Sequence, residues 1–470
     1  MSVSNRALLV GALCLLCIPC LGNPGVVGWR GDGTGRYPAA TPVDRWSTEE
    51  NVIWKTPMPG FSNSSPIVVG ERVYTCAEPS SLLCLSAVDG HLVWQRTSRF
   101  PDMVDAATRA QWAQEQARAD AVRKEMYEAG GLLRRLGQDV QDTPDDEKLK
   151  ARYQAAKARR EELGKELAPL QSAWYMMPET HEENGYTSPT PTSDGERVYV
   201  VFGTGWVACY DLDGNRVWAR MVEKPHMHHG YGASPVLVGD MLVVHIHHLI
   251  ALDKLTGETL WQTEEESWCW GTPSRTRIGE GELLLTGCGD IVRAADGKTL
   301  ASGLPRMLMQ GPLVEEGIAY YLDKGAWKAY RLPEPVDGEA LQPQLLWDAG
   351  ISSSTCYASP VLHEGLLYSW DQSGTLRVVE ADTGALVYRH KPGIGAGKSW
   401  HYPSVALAGD RLFVGADVTG SAVMFRPGRQ YEELGRNTLE TFCSSPVFVG
   451  DRMYLRTWGN LYCIGPSPER

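Results

Sequence analysis

Residues Ala233 to Trp261 read ASPVLVGDMLVVHIHHLIALDKLTGETLW, and this stretch holds the pattern that decides the fold. Short apolar runs alternate in it with turn dipeptides such as Gly239-Asp240 and Thr256-Gly257. Apolar runs bounded by Gly and Asp turns are typical of consecutive antiparallel strands. The stretch therefore predicts four strands, which is the content of one propeller blade.

The same pattern recurs along most of the chain. Each copy opens on Pro, continues as an apolar run and usually reaches a Gly-Asp or Gly-Glu turn. The opening prolines are Pro66, Pro189, Pro235, Pro273, Pro312, Pro360, Pro403 and Pro446. From the second copy onward they recur about every 40–50 residues, a period that indicates a propeller or a repeat array. The longer first interval contains residues 101–178, whose composition differs, so we interpret them as an insertion between the first two copies.

The last copy is one strand short, because the chain has no room for a fourth strand after Leu461 to Ile464. Asn51 to Lys55 offers that strand, since its Trp54 matches the Trp of the fourth strand at Trp261. Joining the two would close the ring and remove its exposed edges. The sequence thus predicts an all-β, eight-bladed propeller of four-stranded blades with an N-terminal strand closing the last blade. Seven blades, with one copy degenerate, is the alternative.

Three motifs carry a family resemblance: WRGDGTG at 29–35, NVIWK at 51–55 and Ser65-Pro66. Together with the Leu-Asp, Thr-Gly and Trp of the repeats, they make the chain resemble secreted bacterial proteins of PQQ-like (quinoprotein-type) repeats. The resemblance covers residues 23–100 and 179–470 and implies a β-propeller. It leaves the function open, because function depends on sites that one fold carries in many versions.

The insertion, residues 101–178, is rich in Ala, Glu, Arg and Lys and is predicted to be a helical hairpin or coiled coil. Leu132, Leu136 and Val140 form an apolar stripe at helical spacing, and a second stripe follows Thr143-Pro144. We expect Thr143 to cap the second helix with its hydroxyl. The stripes either hold the two helices together or mark an arm that docks a protein partner.

Residues 1–22 are predicted to be a signal peptide, with Arg6 followed by the apolar run Ala7–Ile18. That run is short for a membrane span and no other is longer, so no transmembrane segment is expected. The mature chain is expected to be exported, either periplasmic or secreted. A lipoprotein is the alternative, although Pro19 before Cys20 is a poor lipid-attachment context. The net charge of −12 argues against nucleic-acid binding.

Eight cysteines follow the predicted signal peptide. Cys84, Cys209 and Cys463 lie at the third-strand position that Ala251 fills in its blade. A small buried side chain suits that position, and free Cys behaves as a small apolar residue. We therefore expect free thiols, with a bridge between Cys76 and Cys84 as the alternative.

The strands of a blade alternate in direction, so the loop that enters a blade and the loop between its second and third strands share one face. Residues three positions before the opening prolines should meet there at the mouth of the central channel. Polar and aromatic groups converging on a concavity indicate a ligand site. The candidate ligand-binding residues are Tyr186, Trp270, Tyr357, Trp400 and His401. The alternative is that these aromatic side chains pack between blades.

Two groups of histidines fall in the third copy, one in its entering loop and one between its second and third strands. The candidate metal ligands are His226, His228, His229, His245, His247 and His248. Clustered imidazoles suit Zn, Cu or Fe. Surface clusters of histidine without a metal are the alternative.

The resemblance to quinoprotein dehydrogenases implies PQQ over a Trp, beneath a disulfide between adjacent cysteines, with calcium and a catalytic Asp. This chain has no Cys-Cys pair, so PQQ is not expected. The predicted function is an exported, non-catalytic scaffold that binds a protein or a ligand, similar in build to BamB-type propellers. It would contact a protein partner through the hairpin or a propeller face. A diverged quinoprotein or a metal-dependent oxidoreductase, with its site on the loop face, is the alternative.

Overall fold

A computed structural model describes residues 27–98, 105–171, 177–227, 229–335, 340–395 and 399–466. These residues form eight sheets, each with four antiparallel strands, and the first strands of three neighbouring pairs of sheets contact one another around a central channel. The eight-bladed propeller is therefore confirmed and the seven-bladed alternative is wrong. The predicted signal peptide lies outside the described residues.

The first four blades follow the chain from the inner to the outer strand. Blade 1 comprises β3 (Ile67–Val69), β4 (Arg72–Ala77), β5 (Ser81–Ser86) and β6 (Leu92–Thr97). Blade 2 comprises β7 (Thr192–Ser193), β8 (Arg197–Val201), β9 (Trp206–Asp211) and β10 (Arg216–Met221). Blade 3 comprises β11 (Val236–Val238), β12 (Met241–His245), β13 (Leu249–Asp253) and β14 (Thr259–Gln262). Blade 4 comprises β15 (Ser274–Ile278), β16 (Gly281–Leu285), β17 (Ile291–Arg293) and β18 (Thr299–Ala301).

The other four blades have the same order, except that the last is completed from the N-terminal side. Blade 5 comprises β19 (Leu313–Glu315), β20 (Ile318–Asp323), β21 (Ala326–Arg331) and β22 (Gln344–Asp348). Blade 6 comprises β23 (Val361–His363), β24 (Leu366–Trp370), β25 (Leu376–Glu380) and β26 (Leu386–His390). Blade 7 comprises β27 (Ala406–Ala408), β28 (Arg411–Ala416), β29 (Ser421–Arg426) and β30 (Glu432–Thr438). Blade 8 comprises β31 (Val447–Val449), β32 (Arg452–Arg456), β33 (Asn460–Ile464) and β2 (Val52–Pro57).

Ring closure occurs as the sequence predicts. Strand β2 pairs antiparallel with β33, and Trp54 lies opposite Cys463. A further contact was not predicted: β1 (Arg36–Tyr37) runs parallel to β27 on the channel side of blade 7.

Neighbouring blades are joined by tryptophans on their fourth strands. Each indole lies on a turn glycine of the next blade, and its Nε1 donates to a backbone carbonyl there. The donor and acceptor pairs are Trp54 and Ala87, Trp94 and Leu212, Trp218 and Lys254, Trp261 and Ala294, and Trp347 and Ala381, at 2.8–3.2 Å. This contact explains why Trp and the Gly of the turn recur together in the sequence.

Hydroxyl groups join the blades at the channel. In six blades, the residue two positions before the inner strand donates its backbone N–H to a Ser or Thr hydroxyl. That hydroxyl belongs to the equivalent residue of the next blade. The pairs are Ser65 to Thr190, Thr190 to Ser234, Ser234 to Thr272, Ser359 to Ser404, Ser404 to Ser445 and Ser445 to Ser65, at 2.9–3.2 Å. We call this set the hydroxyl belt. It is interrupted at Gly311, where a Cβ atom would lie 2.3 Å from the Thr272 carbonyl oxygen.

The hydroxyl belt corrects the predicted register of two blades. In blade 2 the belt residue is Thr190, which is followed by Pro191, so the opening proline is not Pro189. In blade 7 the belt residue is Ser404, which is followed by Val405, and Pro403 lies outside the repeat position. Both predicted positions were wrong by two residues, because proline was taken as the marker instead of the hydroxyl.

The insertion is the expected helical hairpin, α1 (Ala106–Asp142) and α2 (Glu147–Gln171). Val122, Leu163 and Leu167 are buried in one apolar cluster with Phe202 of blade 2, so the base of the hairpin packs on the propeller. Neither helix has an apolar stretch long enough to cross a bilayer.

The predicted cap of α2 is wrong. Thr143 follows α1, and both its N–H and its hydroxyl donate to the Asp139 carbonyl, at 2.9 and 2.8 Å. Asp146 caps α2 instead, because its carboxylate accepts the N–H groups of Lys148 and Leu149. A carboxylate next to the helix start therefore takes the place that we assigned to the hydroxyl.

The eight cysteines in the described residues are free thiols, as expected. Cys76 lies opposite Leu82 and Cys84 lies opposite Tyr74 across the β4–β5 pair, so the alternative bridge is not formed.

The contact between Trp94 and Gly214 predicts an asymmetry between two turn glycines. Gly214 and Gly70 both have positive φ, but a Cβ atom at Gly214 would lie 2.7 Å from the Trp94 ring, whereas at Gly70 it would meet no atom within 4 Å. Both Ala substitutions carry the backbone cost of about 1–2 kcal/mol. We expect Gly214→Ala to lower the free energy of unfolding by about 1–3 kcal/mol more than Gly70→Ala, through overpacking. Urea unfolding of the two variants measures this, and equal losses would contradict the proposed role of the tryptophan contact.

Candidate functional site

The central channel opens in a cavity of about 440 Å³ on the face that carries the loops entering the blades. Every blade contributes the residue two positions before its belt position. These eight residues are Asn63, Ser188, Gly232, Trp270, Met309, Tyr357, Tyr402 and Cys443. We call this cavity the mouth. The predicted rule for its lining therefore holds in all eight blades once the register of blades 2 and 7 is corrected.

The predicted ligand-binding residues divide into two groups. Trp270, Tyr357 and Trp400 line the mouth. Tyr186 does not, because its hydroxyl donates to the Pro178 carbonyl at 2.9 Å and its N–H donates to the Glu78 carboxylate. His401 does not line it either.

His401 is buried behind the mouth. Its ring meets the Trp370 ring edge-on, with centroids 4.9 Å apart, and its Nδ1 donates to the Gln372 carbonyl at 3.1 Å. Its backbone has a φ of 61°, and its N–H donates to the Asp417 carboxylate. His401 therefore supports the loop and does not face a ligand.

Three aromatic side chains form one wall of the mouth. The Tyr357 ring lies 4.9 Å from that of Tyr402 at an interplanar angle of 63°, and 6.0 Å from that of Trp400 at 84°. The rings therefore form a corner and not a stack. On another side of the mouth, Trp270 is fixed by a hydrogen bond from its Nε1 to the Gly230 carbonyl at 3.0 Å.

The ionisable groups of the mouth are few. Glu183 is the carboxylate that lines it, His181 and His229 are its imidazoles, and no Lys or Arg is among its described lining residues. Burial raises the pKa of Tyr357 and of Tyr402, and the negative charge of Glu183 raises both further. Glu183 and this aromatic wall line the same cavity.

The N-terminal segment closes the channel below the mouth. Trp29 lines both the mouth and a second cavity of about 90 Å³ further along the channel, so its side chain separates the two. Arg30 is buried, and its Nη2 donates to the carbonyls of Pro360 at 2.6 Å and Val405 at 3.0 Å. Burial lowers the pKa of Arg30 to about 10, which leaves the guanidinium charged at neutral pH. We call residues 27–35 the plug.

The predicted metal ligands occupy separate environments. His245, at the end of β12, is fully buried: its Nε2 donates to the Ser267 carbonyl at 2.6 Å, and its Nδ1 lies 3.7 Å from the Cys269 sulfur. Burial lowers the pKa of His245 to about 4. Both ring nitrogens face groups of the protein, so this imidazole is structural.

His226, His247 and His248 gather around Glu223. The rings of His226 and His247 stack 3.6 Å apart, and the His247 Nε2 accepts the N–H of His226 at 3.0 Å. Glu223 accepts the backbone N–H groups of His247 and His248 and pairs with the His248 Nδ1 at 2.6 Å. The carboxylate thus organises the turn between β12 and β13.

His229 is apart from both groups and lines the mouth, with its ring 6.2 Å from that of Trp270. His228 lies outside the described residues. In the described part of the chain, no three His, Cys, Asp or Glu side chains are placed so that they could hold a metal ion. The metal hypothesis stays a prediction that the structure does not support among the residues it describes.

Sequence reasoning missed Tyr402, Glu183 and Trp29 as lining residues. Tyr402 could have been found by aligning the copies on the Ser or Thr before the inner strand, because Ser404 then replaces Pro403 as the marker. Glu183 and Trp29 lie outside the repeat, and their positions have no signal at the period of the blades.

Comparisons with known proteins indicate the same architecture. The family model described as outer membrane protein assembly factor BamB matches residues 46–122 and 166–303. Among solved structures, the chain is similar to Sqt1 of Saccharomyces cerevisiae, at 8% identity over 89% of this chain and 99% of that one, with a TM-score of 0.55. It is similar to a europium-containing methanol dehydrogenase, at 12% identity over 94% and 98%, with a TM-score of 0.50.

A third solved structure, BamB from Moraxella catarrhalis, has 14% identity over 59% of this chain and 82% of that one, with a TM-score of 0.44. No curated protein sequence matches the chain. Identities this low show the fold alone.

The buried imidazole of His245 predicts a pH dependence of stability. Its pKa falls from 6.5 to about 4 on folding, so the unfolded chain binds a proton that the folded chain does not between these values. Stability should therefore be highest above pH 6.5 and decrease as the pH falls towards 4, by up to about 3 kcal/mol from this group. We expect His245→Gln to reduce that decrease, as measured by urea unfolding from pH 4.5 to 7. An unchanged slope would contradict the assignment.

Proposed function

We propose that this chain, a β-propeller of PQQ-like repeats, is an exported, non-catalytic binding protein that takes its ligand at the mouth. The observation that carries the proposal is the convergence of one residue from every blade on a single cavity of about 440 Å³. Cavities of about 300–1,000 Å³ with aromatic walls and a few polar groups are typical of small-molecule sites. The plug supports the proposal further, because Trp29 gives the cavity a floor.

The quinoprotein form of the oxidoreductase alternative would require the mouth to accept PQQ, which is a tricarboxylate quinone. The three carboxylates of PQQ would lose hydration on binding and would need cationic partners, because burying an unpaired charge is costly. The described residues that line the mouth include no Lys or Arg, and they place the Glu183 carboxylate there instead. These residues do not fit PQQ, so we derive no reaction step through it.

The helical hairpin is a second surface for contact, in this case with a protein partner. Its apolar stripes are largely used within the hairpin and on blade 2, where Leu136, Leu163 and Leu167 are buried. Tyr127 differs from them, because it is 78% exposed in the middle of α1. Tyr and other aromatic residues are enriched at protein–protein interfaces relative to the rest of the surface. We therefore propose that a partner contacts this part of the hairpin.

Export predicts a processed N-terminus. Expression of the full chain in a bacterial host with a general secretory pathway should yield a protein that begins at Asn23, because residues 1–22 have the pattern of a cleaved signal peptide. Intact-mass measurement of the protein from the periplasmic fraction tests this. An uncleaved chain in the cytoplasm, or a lipid adduct on Cys20, would contradict it.

Ligand binding at the mouth predicts that a bulky side chain there will block it. The Cβ position of Gly232 lies in ordinary contact with Trp270, so Gly232→Trp should fold and fill the mouth. The matched control is Val88→Trp, at an exposed position in a turn between the third and fourth strands. Each protein is incubated with a deproteinised periplasmic extract and examined by native mass spectrometry. We expect a bound small molecule on the wild type and on Val88→Trp, and none on Gly232→Trp.

Two outcomes would contradict the proposed function or its site. A small molecule that remains bound to Gly232→Trp would place the binding site elsewhere. Alcohol oxidation by the wild type after addition of PQQ, calcium and a dye acceptor, lost in Gly232→Trp, would favour the oxidoreductase alternative.

A further inference from the structure

The shape of the aromatic wall restricts what the mouth can bind. Tyr357 is the shared neighbour of Tyr402 and Trp400, with centroid separations of 4.9 and 6.0 Å and ring planes far from parallel. A stacked pair of rings would present parallel faces to a flat ligand. Rings that meet at steep angles instead enclose a compact group on more than one side, and a cation is attracted to a ring face within about 6 Å of its centroid.

Among the described residues that line the mouth, the formally charged side chain is acidic. Glu183 supplies a carboxylate, its neighbours on the lining include no Lys or Arg in the described chain, and His181 and His229 are the other ionisable groups. Glu183 lines the same cavity as Tyr357, Trp400 and Tyr402. Burial is the main cause that raises the pKa of Tyr357 and of Tyr402, and the Glu183 charge is one of the smaller causes for both. The carboxylate among the described lining residues attracts cations.

We infer that the mouth binds an alkylated ammonium group, held against Tyr357, Trp400 and Tyr402 in the cavity that Glu183 also lines. Aromatic rings with a nearby carboxylate suit a quaternary ammonium, because its charge is spread over methyl groups that lose little hydration on contact with the rings. The group belongs either to a small molecule or to a methylated Lys side chain of a partner, since the chemistry is the same. The inference rests on the proposed ligand site and adds the class of ligand.

Two other classes of ligand fit less well. An anion would meet the Glu183 carboxylate without a cationic partner among the described lining residues. A hard metal ion such as Ca²⁺ takes about six to eight oxygen ligands, including several carboxylates, whereas Glu183 is the carboxylate that lines the mouth. A bulky organic cation needs fewer direct ligands, because the rings supply most of the attraction.

The test compares choline with its neutral isostere 3,3-dimethylbutan-1-ol, in which carbon replaces nitrogen. Binding is measured by calorimetry and by tryptophan fluorescence at pH 8. We expect choline to bind at least about tenfold more tightly than the isostere, because the shapes are equal and only the charge differs. A peptide that carries trimethyl-lysine is the second arm, and its unmodified form is the control. The tighter of choline and this peptide identifies the source of the group.

Variants of neighbouring residues locate the interaction. Glu183→Gln should weaken choline binding at least about fivefold, whereas Glu182→Gln should leave it unchanged, because Glu182 does not line the mouth. Tyr357→Phe retains the ring and should retain binding, whereas Tyr357→Leu should lose it. Thermal unfolding of each variant excludes a general loss of structure.

Equal binding of choline and the isostere, or equal effects of Glu183→Gln and Glu182→Gln, would overturn the inference. Failure of all cationic probes would do the same. If a native ligand that depends on Gly232 is still bound in that case, the mouth remains the binding site and only the class of ligand is wrong. If that ligand is also absent, the proposed function fails as well.

Discussion

The structure depends on a hydrogen bond that crosses between neighbouring blades at the channel, at six of the eight junctions. The donors are backbone N–H groups two positions before the inner strands, and the acceptors are buried hydroxyls such as those of Ser65, Thr190 and Ser404. A buried N–H without a partner costs about 1–3 kcal/mol, so each blade needs its neighbour in one register. The same register turns one residue per blade towards the axis. The mouth is thus a direct product of the hydroxyl belt.

Most of the fold could be predicted, because the residues that recur in each repeat have local structural causes. Turn glycines have positive φ, and the tryptophans lie on them, so both recur at a fixed distance in the sequence. The rule for the lining of the mouth was predicted correctly, but its register was wrong at blades 2 and 7. Ser188-Pro189-Thr190-Pro191 offers two prolines, and in blade 7 Val405 occupies the proline position. Proline only presets the backbone, whereas the hydroxyl makes the bond between blades, so the hydroxyl is the better marker.

The remaining parts of the site depend on contacts that no local pattern contains. The position of Trp29 depends on Arg30, which binds carbonyls more than three hundred residues away in the chain. The histidines show a different limit. His245 ends β12, whereas His247 and His248 lie in the turn that follows, so the histidines of this group enter different environments. Spacing alone cannot tell which imidazoles meet, because the outcome depends on Ser267 and Glu223.

The plug has a consequence for how the chain is made. Synthesis proceeds from the N-terminus, so residues 27–35 and β2 emerge long before the carbonyls of blades 6 and 7 and the strand β33 that receive them. Contacts between distant parts of a chain form slowly, and exposed apolar edges aggregate in the meantime. The ring of the nascent protein therefore cannot close until Asn460–Ile464 has been synthesised. Its yield in a cell should depend on holding chaperones more than on the stability of the finished ring.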